Sequence, residues 1–447
     1  MKIDVIDQSE TRKELQVTVP AQLVDEQDKE ALKAFRKEAR VPGFRAGKAP
    51  ETILRQRFRK QLSEEINRRI NQKVYEEAVQ ESDLDIYDVV EFPNDTVYTP
   101  GLETTLTITV DVTPPFDLPE YKNIATTVPS SDVTDAEIDE AIHQIRRSRA
   151  DFKTVERAAE EGDYLQVSYK GTHDGEDIAA KLEATPNLKS WGTVDKAWEE
   201  AGTDEAKQYG VPAVIDGIVG MSADDEKEVT QTLPEDFAVE ELRGMEITYA
   251  VTVHEVRERV LPEMDEAFLK TVRSESVEDF KAQIMDDLEG RKKQEADQAQ
   301  RQQILDHLDG QVDIALPETG LERETQQVMG RVMVQNMQRG ISEDVFEENK
   351  EALYAQSAQV AARDLKLQII LAKIAKEEDI KVADEDLSRA VYGIAQQQRR
   401  SPDEVVKELQ GDRNRVIQLQ RQILFQKTLD FLAKAATVAE STVEGQS

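Results

Sequence analysis

From about Ser276 to Thr437 the chain is an almost unbroken series of amphipathic stretches, a pattern satisfied by helices packed along one apolar face. Breaks fall at Leu316-Pro317, Gly340, Ala383-Asp384, Ser401-Pro402 and Gly411. Ser401-Pro402-Asp403-Glu404 predicts a helix start, with an N-cap, a proline at the first helical position and the acid of a capping box. Leu365, Ile369, Ile370 and Ile374 form a stripe expected in the core. Met329, Met333 and Met337 recur every fourth residue beside Val328 and Val332. They suit either a core or a surface whose flexible thioethers repack against varied apolar partners. Strict heptads are not sustained, so no long coiled coil is expected.

The rest of the chain reads differently, and at 447 residues two to four domains are expected. The first segment predicts β-α-α-β. Glu14–Pro20 alternates as a strand, Asp25–Arg40 carries Ala31, Leu32 and Phe35 at helical spacing, a helix runs from about Pro50 to Glu81, and Thr104–Val112 alternates again. Pro114-Pro115 and Pro119 mark a linker. Thr134-Asp135-Ala136-Glu137 fits a capping box opening a helix to about Arg149. A glycine-punctuated block follows, with Tyr164–Tyr169 and Met245–Val253 as its clearest strands. The tail Glu440–Ser447 is polar and expected to be disordered.

Composition removes several function classes. Charged residues reach 33% and the net charge is −34, which disfavours non-specific binding to nucleic acid or anionic membrane by the chain as a whole. There is no cysteine, hence no disulfide, thiol nucleophile or thiolate metal site. His143, His173, His254 and His307 lie far apart without ligand spacing, so no metal and no cofactor is expected. The acidic start Met1–Asp7 does not read as an export signal, and no stretch approaches the roughly 18 apolar residues of a membrane span, so a cytoplasmic location is expected.

Against that acidic background one segment stands out. Between Arg36 and Lys73 there are twelve Lys or Arg and four Glu, a local excess of eight positive charges. Inside it lies Val41-Pro42-Gly43-Phe44-Arg45-Ala46-Gly47-Lys48-Ala49-Pro50, where two glycines free the backbone and Phe44 sits between them. A loop tip with an aromatic anchor and flanking cations suits a contact that combines packing with phosphate pairing. A nucleotide-binding P-loop fails on spacing, since three residues rather than four separate Gly43 from Gly47. Ala49 also stands where Ser or Thr would bind magnesium.

Gly43-Phe44-Arg45-x-Gly47-Lys48-x-Pro50 resembles the ribosome-docking signature of bacterial trigger factors. The resemblance implies that Gly43, Phe44, Arg45, Gly47 and Lys48 meet the large subunit beside the exit tunnel, touching a ribosomal protein and rRNA. Some members carry Lys at the position of Ala46, which implies somewhat weaker docking here.

The middle block is similar to FK506-binding-type prolyl isomerases. Gly162–Gly171 resembles their first long strand, Val211–Met221 their pocket-floor helix, and Leu233–Phe237 with Leu242-Arg243-Gly244 and Tyr249-Ala250-Val251 their closing loop and last strand. Such enzymes lower the X-Pro barrier of about 18–20 kcal/mol with an apolar cup that favours the twisted amide. Carried over, the cup comprises Tyr169, Val211, Phe237 and Tyr249. Here Ala213 and Val214 replace the glycine and bulky aromatic of the floor, and Ala179–Trp198 lacks the usual aspartate-phenylalanine wall. The resemblance therefore leaves open an active isomerase, a weakened one, or a domain kept for binding or spacing.

Leu261-Pro262-Glu263-Met264 resembles the family's re-entry into a helical body with two arms. The expected fold is thus α+β multidomain: a ribosome-binding domain at 1–115, a linker and helix at 116–150, an FK506-binding-like α+β domain at 151–257, an elongated all-α domain with arms at 258–439 and a tail at 440–447. The implied function is a ribosome-associated chaperone that holds nascent and unfolded polypeptides open for folding or export, with Met329, Met333 and Met337 as candidate client contacts. A homodimer off the ribosome is a further implied state. A stand-alone prolyl isomerase with a helical scaffold, and a helical adaptor without chaperone activity, are the competing readings.

Overall fold

The computed structural model describes residues 1–38, 44, 49–93, 96–182, 186–235, 237, 239, 242–338 and 349–441. The chain divides into two compact units, one made of Met1–Ser130 with Glu295–Ser447, the other of Ser131–Gln294.

The first unit opens with β1 (Lys2–Asp7) and β2 (Arg12–Val19), followed by α1 (Ala21–Glu38), α2 (Glu51–Arg57) and α3 (Arg59–Glu81), then β3 (Ile86–Glu91) and β4 (Thr104–Val112). The strands form an antiparallel sheet in the order β1-β2-β4-β3. Leu15 lies opposite Ile108 and Val17 opposite Leu106, so the two central strands present their apolar side chains to the same face. Leu62, Ile66, Ile70 and Val74 of α3 and Val24, Ala31 and Leu32 of α1 cover that face. Each such buried aliphatic side chain contributes about 1.5–3 kcal/mol.

Two strands, β1 and β3, are additional to the expected β-α-α-β. The expected single helix over Pro50–Glu81 is broken at Phe58, whose φ of −114° and ψ of 27° leave the helical region. Phe58 still donates its N–H to the Leu54 carbonyl and accepts from Leu62, so the chain turns there without stranding its hydrogen bonds.

The helical part of this unit takes the later portion of α8 (Val277–Gln311), then α9 (Glu318–Gln338), α10 (Lys350–Glu377), α11 (Asp384–Gln398), α12 (Pro402–Gly411) and α13 (Arg413–Ala435). Ile304 and Leu308 meet Leu367, Ile370, Leu371 and Ile374 of α10 and Leu429 and Leu432 of α13 in one core. The stripe read from Leu365 to Ile374 is therefore buried, as expected. α9 packs along α10, and α11 with α12 forms a second helical hairpin around Val391, Ala395 and Val405. The capping box expected at Ser401 and Glu404 is present.

Two short strands close this body. β5 (Ala125–Pro129), from the linker, pairs in parallel with β12 (Thr437–Ser441). Glu440 and Ser441, placed in a disordered tail by their polarity, are thus ordered in a strand, while 442–447 lies outside the described residues. The free side of β5 is met by Gln303, whose amide accepts from Thr127 N–H at 2.8 Å and donates to its carbonyl at 2.6 Å.

The second unit begins with α4 (Asp135–Arg147), capped by Thr134 and Glu137 as expected. Ile138 and Ile142 pack on Phe268 and Leu269 of α7 (Glu266–Val272) and on Phe280 and Ile284 of α8. The remainder is a six-stranded sheet built on β11 (Glu246–Val260), flanked by β10 (Glu226–Thr232), β7 (Tyr164–His173) and β6 (Asp151–Thr154). β7 in turn pairs with β8 (Glu176–Asp177) and β9 (Thr193–Glu200). Two short helices, α5 (Asp204–Tyr209) and α6 (Pro212–Gly217), complete it. Gly217 lets α6 lie against β10, because a Cβ there would stand 2.5 Å from Val229 Cγ1. The whole is the α+β and all-α multidomain architecture expected from the sequence.

Candidate functional site

Three regions were singled out by sequence. At the first, Phe44 is described and 41% exposed. Gly43, Arg45, Gly47 and Lys48 lie outside the described residues. What the structure adds is the packing of the elements before and after it. Ala49 and Leu54 are buried with Ile53 and Phe58 against them, and the Phe58 ring stands 6.0 Å from that of Phe35 on α1.

An ion pair with a buried carboxylate fixes α2 to α1. The Arg55 guanidinium forks onto both carboxylate oxygens of Asp28 and also reaches Glu51 at 3.1 Å. The hydrogen bond to Asp28 raises the Arg55 pKa further above its ordinary value, so the guanidinium keeps its charge. The segment carrying Phe44 therefore starts and ends on helices locked together by packing and charge.

The second region is in the middle of the chain. Tyr169, Val211, Phe237 and Tyr249 do come together, and all four belong to one core at 0–8% exposure. The Tyr169 and Tyr249 rings meet edge to face at 6.0 Å. Gly171 allows this approach, since a Cβ there would lie 2.9 Å from the Tyr249 ring. Val214, at the floor position of α6, is buried and aliphatic.

Two further residues, not singled out by sequence, pack with these four. Trp191 stacks at a tilt on Phe237 with ring centroids 5.2 Å apart, and its carbonyl accepts the Tyr249 hydroxyl at 2.9 Å. Ala179–Trp198 thus supplies an aromatic wall through Trp191, whereas Trp198 faces outward beneath Arg257 at 4.3 Å. The second is Glu199, whose Oε1 lies 3.4 Å from the Tyr169 hydroxyl. Burial raises the Glu199 pKa, with the tyrosine offsetting part of that effect. A carboxyl at an inward strand position was the available sequence signal, and only the β7–β9 register shows which way it points. Burial likewise pushes the Tyr169 and Tyr249 hydroxyls above their usual range.

The third region divides the methionine stripe. Met329 and Met333 are half-buried, while Met337 is 61% and Val334 57% exposed at the end of α9. Exposure of the stripe therefore increases towards the end of the helix. His254 bonds Ser168 at 2.7 Å and His173 the Glu246 carbonyl at 2.8 Å. Among the described residues no His, Asp or Glu group is arranged to hold a metal, and no helix is long and apolar enough to cross a membrane.

Comparison with known proteins agrees across the chain. A family model described as bacterial trigger factor protein (TF) matches residues 1–145, and one described as its C-terminus matches residues 276–434. The trigger factor of Opitutus terrae is 37% identical over 446 residues, covering 100% of both chains. That of Akkermansia muciniphila is 32% identical over 441 residues, covering 98% of this chain and 99% of its own. A solved structure, from work on promiscuous substrate recognition in folding and assembly by the trigger factor chaperone, aligns with 97% of this chain and 99% of its own. Its sequence identity is 20% and its TM-score 0.42.

Proposed function

The chain belongs to the trigger factor family, and from that premise we propose that this ribosome-associated chaperone docks beside the exit tunnel through Gly43–Pro50. The exposed Phe44 on braced helices carries this reading, because an uncovered aromatic at a tip is a hot-spot anchor awaiting a pocket. In this reading Phe44 packs against a ribosomal protein, Arg45 and Lys48 pair with acidic or phosphate groups, and Gly43 and Gly47 shape the turn. Residues 1–115 form the docking domain, 258–439 the body that receives nascent and unfolded chains, and Met337 with Val334 belongs to the client surface. A cytoplasmic location and a dimer off the ribosome follow the same reading.

The docking test is direct. Phe44→Ala with Arg45→Ala is expected to weaken co-sedimentation with ribosomes about thirtyfold, the loss of about 2 kcal/mol typical of one anchor. The circular dichroism spectrum should not change, since Phe44 belongs to no core. Undiminished co-sedimentation would overturn the proposal.

Residues 151–257 are proposed to act as a weak prolyl isomerase, with Tyr169, Val211, Phe237 and Tyr249 as the cup. Trp191 takes the place of the absent floor aromatic as the ring against the prolyl substrate. The near-complete burial of the four cup residues favours a second reading, an inactive domain kept for binding. In a proline-limited refolding assay the full chain should give a small acceleration that Trp191→Ala removes. Strong acceleration that survives Trp191→Ala would reject both readings.

A further inference from the structure

We propose that Glu199 decides which prolyl segments the cup accepts, by favouring a lysine or arginine next to the proline. This rests on the reading of residues 151–257 as a prolyl-peptide cup and names its substrate class.

The sheet places this carboxylate. Glu199 lies opposite Leu165 in the pairing of β9 with β7, and Leu165, Val167 and Tyr169 form the buried inner row of β7. Directly opposed residues of paired strands share a face, so Glu199 enters the apolar side. Its neighbours do not. Trp198 faces outward beneath Arg257, and Glu200 meets the Tyr164 hydroxyl on the other face. From Glu199 a series of contacts runs through the cup. Its Oε1 lies 3.4 Å from the Tyr169 hydroxyl, the Tyr169 ring meets that of Tyr249 at 6.0 Å, and the Tyr249 hydroxyl donates to the Trp191 carbonyl at 2.9 Å.

Glu199 is short of partners, as the adjacent residue shows by contrast. Glu200 is buried and accepts from Arg147 at 2.8 Å, Arg259 at 2.5 Å and the Tyr164 hydroxyl at 2.9 Å. The fold thus brings two guanidiniums to one carboxylate and none to the next. Among the described residues Glu199 has Tyr169 alone, at the long end of hydrogen bonding, and no cation. A carboxylate has about four acceptor positions, so most of those on Glu199 are unused.

That deficit selects the ligand. Burial without a countercharge works against the ionised form and raises the Glu199 pKa. A cation arriving with the peptide relieves this cost, an apolar side chain leaves it in place, and an acidic one adds to it. Glu199 is only half-buried, so a ligand side chain reaches it from solvent. Lysine and arginine suit the approach, because their apolar stems pack along aromatic surface while the charged head meets the carboxylate.

The test uses the full chain and short peptides of one sequence with Lys, Leu or Glu beside a single proline, followed by their cis–trans isomerisation. Wild type should favour Lys over Leu roughly tenfold in kcat/KM, the worth of one charge-assisted hydrogen bond, with Glu last. Glu199→Gln keeps an acceptor for Tyr169 without the charge and should bring Lys and Leu level. Glu199→Leu, which suits its apolar surroundings, should place Leu first. Glu226→Gln, at an exposed position of β10, changes the net charge equally and should keep the wild-type preference. A Lys preference that survives Glu199→Gln, or none in wild type, would overturn the proposal. If wild type isomerises none of the peptides, the isomerase reading falls by itself, and calorimetric binding of the same peptides decides the rest. A Lys preference in binding that Glu199→Gln removes upholds selection by charge, and equal affinities in wild type reject it.

Discussion

Tyr249→Ala should cost the second unit about 4 kcal/mol, the largest single-residue loss we expect anywhere in the chain. Tyr249 is fully buried between β10 and β7 at the centre of the sheet. Removing its ring opens a cavity beside Tyr169, Gly171 and Trp191 that the packed neighbours cannot refill. Tyr249→Phe keeps the ring and gives up only the bond to the Trp191 carbonyl, about 1 kcal/mol. Urea unfolding would read this as loss of the second unit's transition, with that of the first unit unchanged because its core is separate. A shift of both transitions together would show that the two units unfold as one.

The next largest effect is expected at Asp111. This carboxylate is inaccessible to solvent, yet it faces away from the apolar side of its sheet. It accepts Arg12 Nε at 2.8 Å and Nη2 at 3.3 Å, and it takes the Thr319 N–H at 2.9 Å. It thereby caps α9 from another part of the chain. Nearby, Tyr87 packs on Gly320 and Arg323 bonds Asp88 at 2.6 Å, so the sheet and the start of α9 are joined at two points. Asp111→Ala should destabilise the first unit by about 3 kcal/mol, since it removes the buried partner of Arg12, which keeps only the exposed Glu318 and the Thr319 hydroxyl, and leaves a helix N–H without its acceptor.

The same group predicts an acid dependence. Burial alone would raise the Asp111 pKa, but the Arg12 and Thr319 hydrogen bonds outweigh it and hold the carboxyl below its ordinary value. A lowered folded pKa stabilises the native state above the unfolded value, near 4, and that stability is lost as pH falls towards the folded value. Wild type should therefore lose stability below about pH 4 more steeply than Asp111→Asn. Parallel pH profiles would remove Asp111 from the account.

What the sequence made legible was whatever has a local cause. Capping boxes at Thr134 and Ser401 and the alternation of β2 and β4 each declare themselves within a few residues. β1 did not, because as an edge strand it leaves Val5 and Ile6 exposed among acids and shows no clean alternation. The break at Phe58 has no glycine or proline, and Phe58 keeps the helical spacing of its neighbours. The contact of Trp191 with Phe237 is not legible in the sequence, because it forms only through the folded sheet. The pairing of Arg55 with Asp28 likewise depends on where the fold places the two helices.

The pairing of β5 with β12 bears on how the molecule is made. Thr126 and Thr437, hydrogen-bonded across that pair, are 311 residues apart. During synthesis at about 5–20 residues per second, the linker strand therefore waits roughly 15–60 s for its neighbour. Ile124 likewise cannot reach Leu429 and Leu432 until the last helix has emerged. The second unit, continuous from Ser131 to Gln294, can close long before that. The nascent chain thus passes through a stage in which its middle is folded and its chaperone body is still open, with apolar helices exposed at the ribosome. A copy already docked there would meet, in its own growing successor, the kind of client it serves.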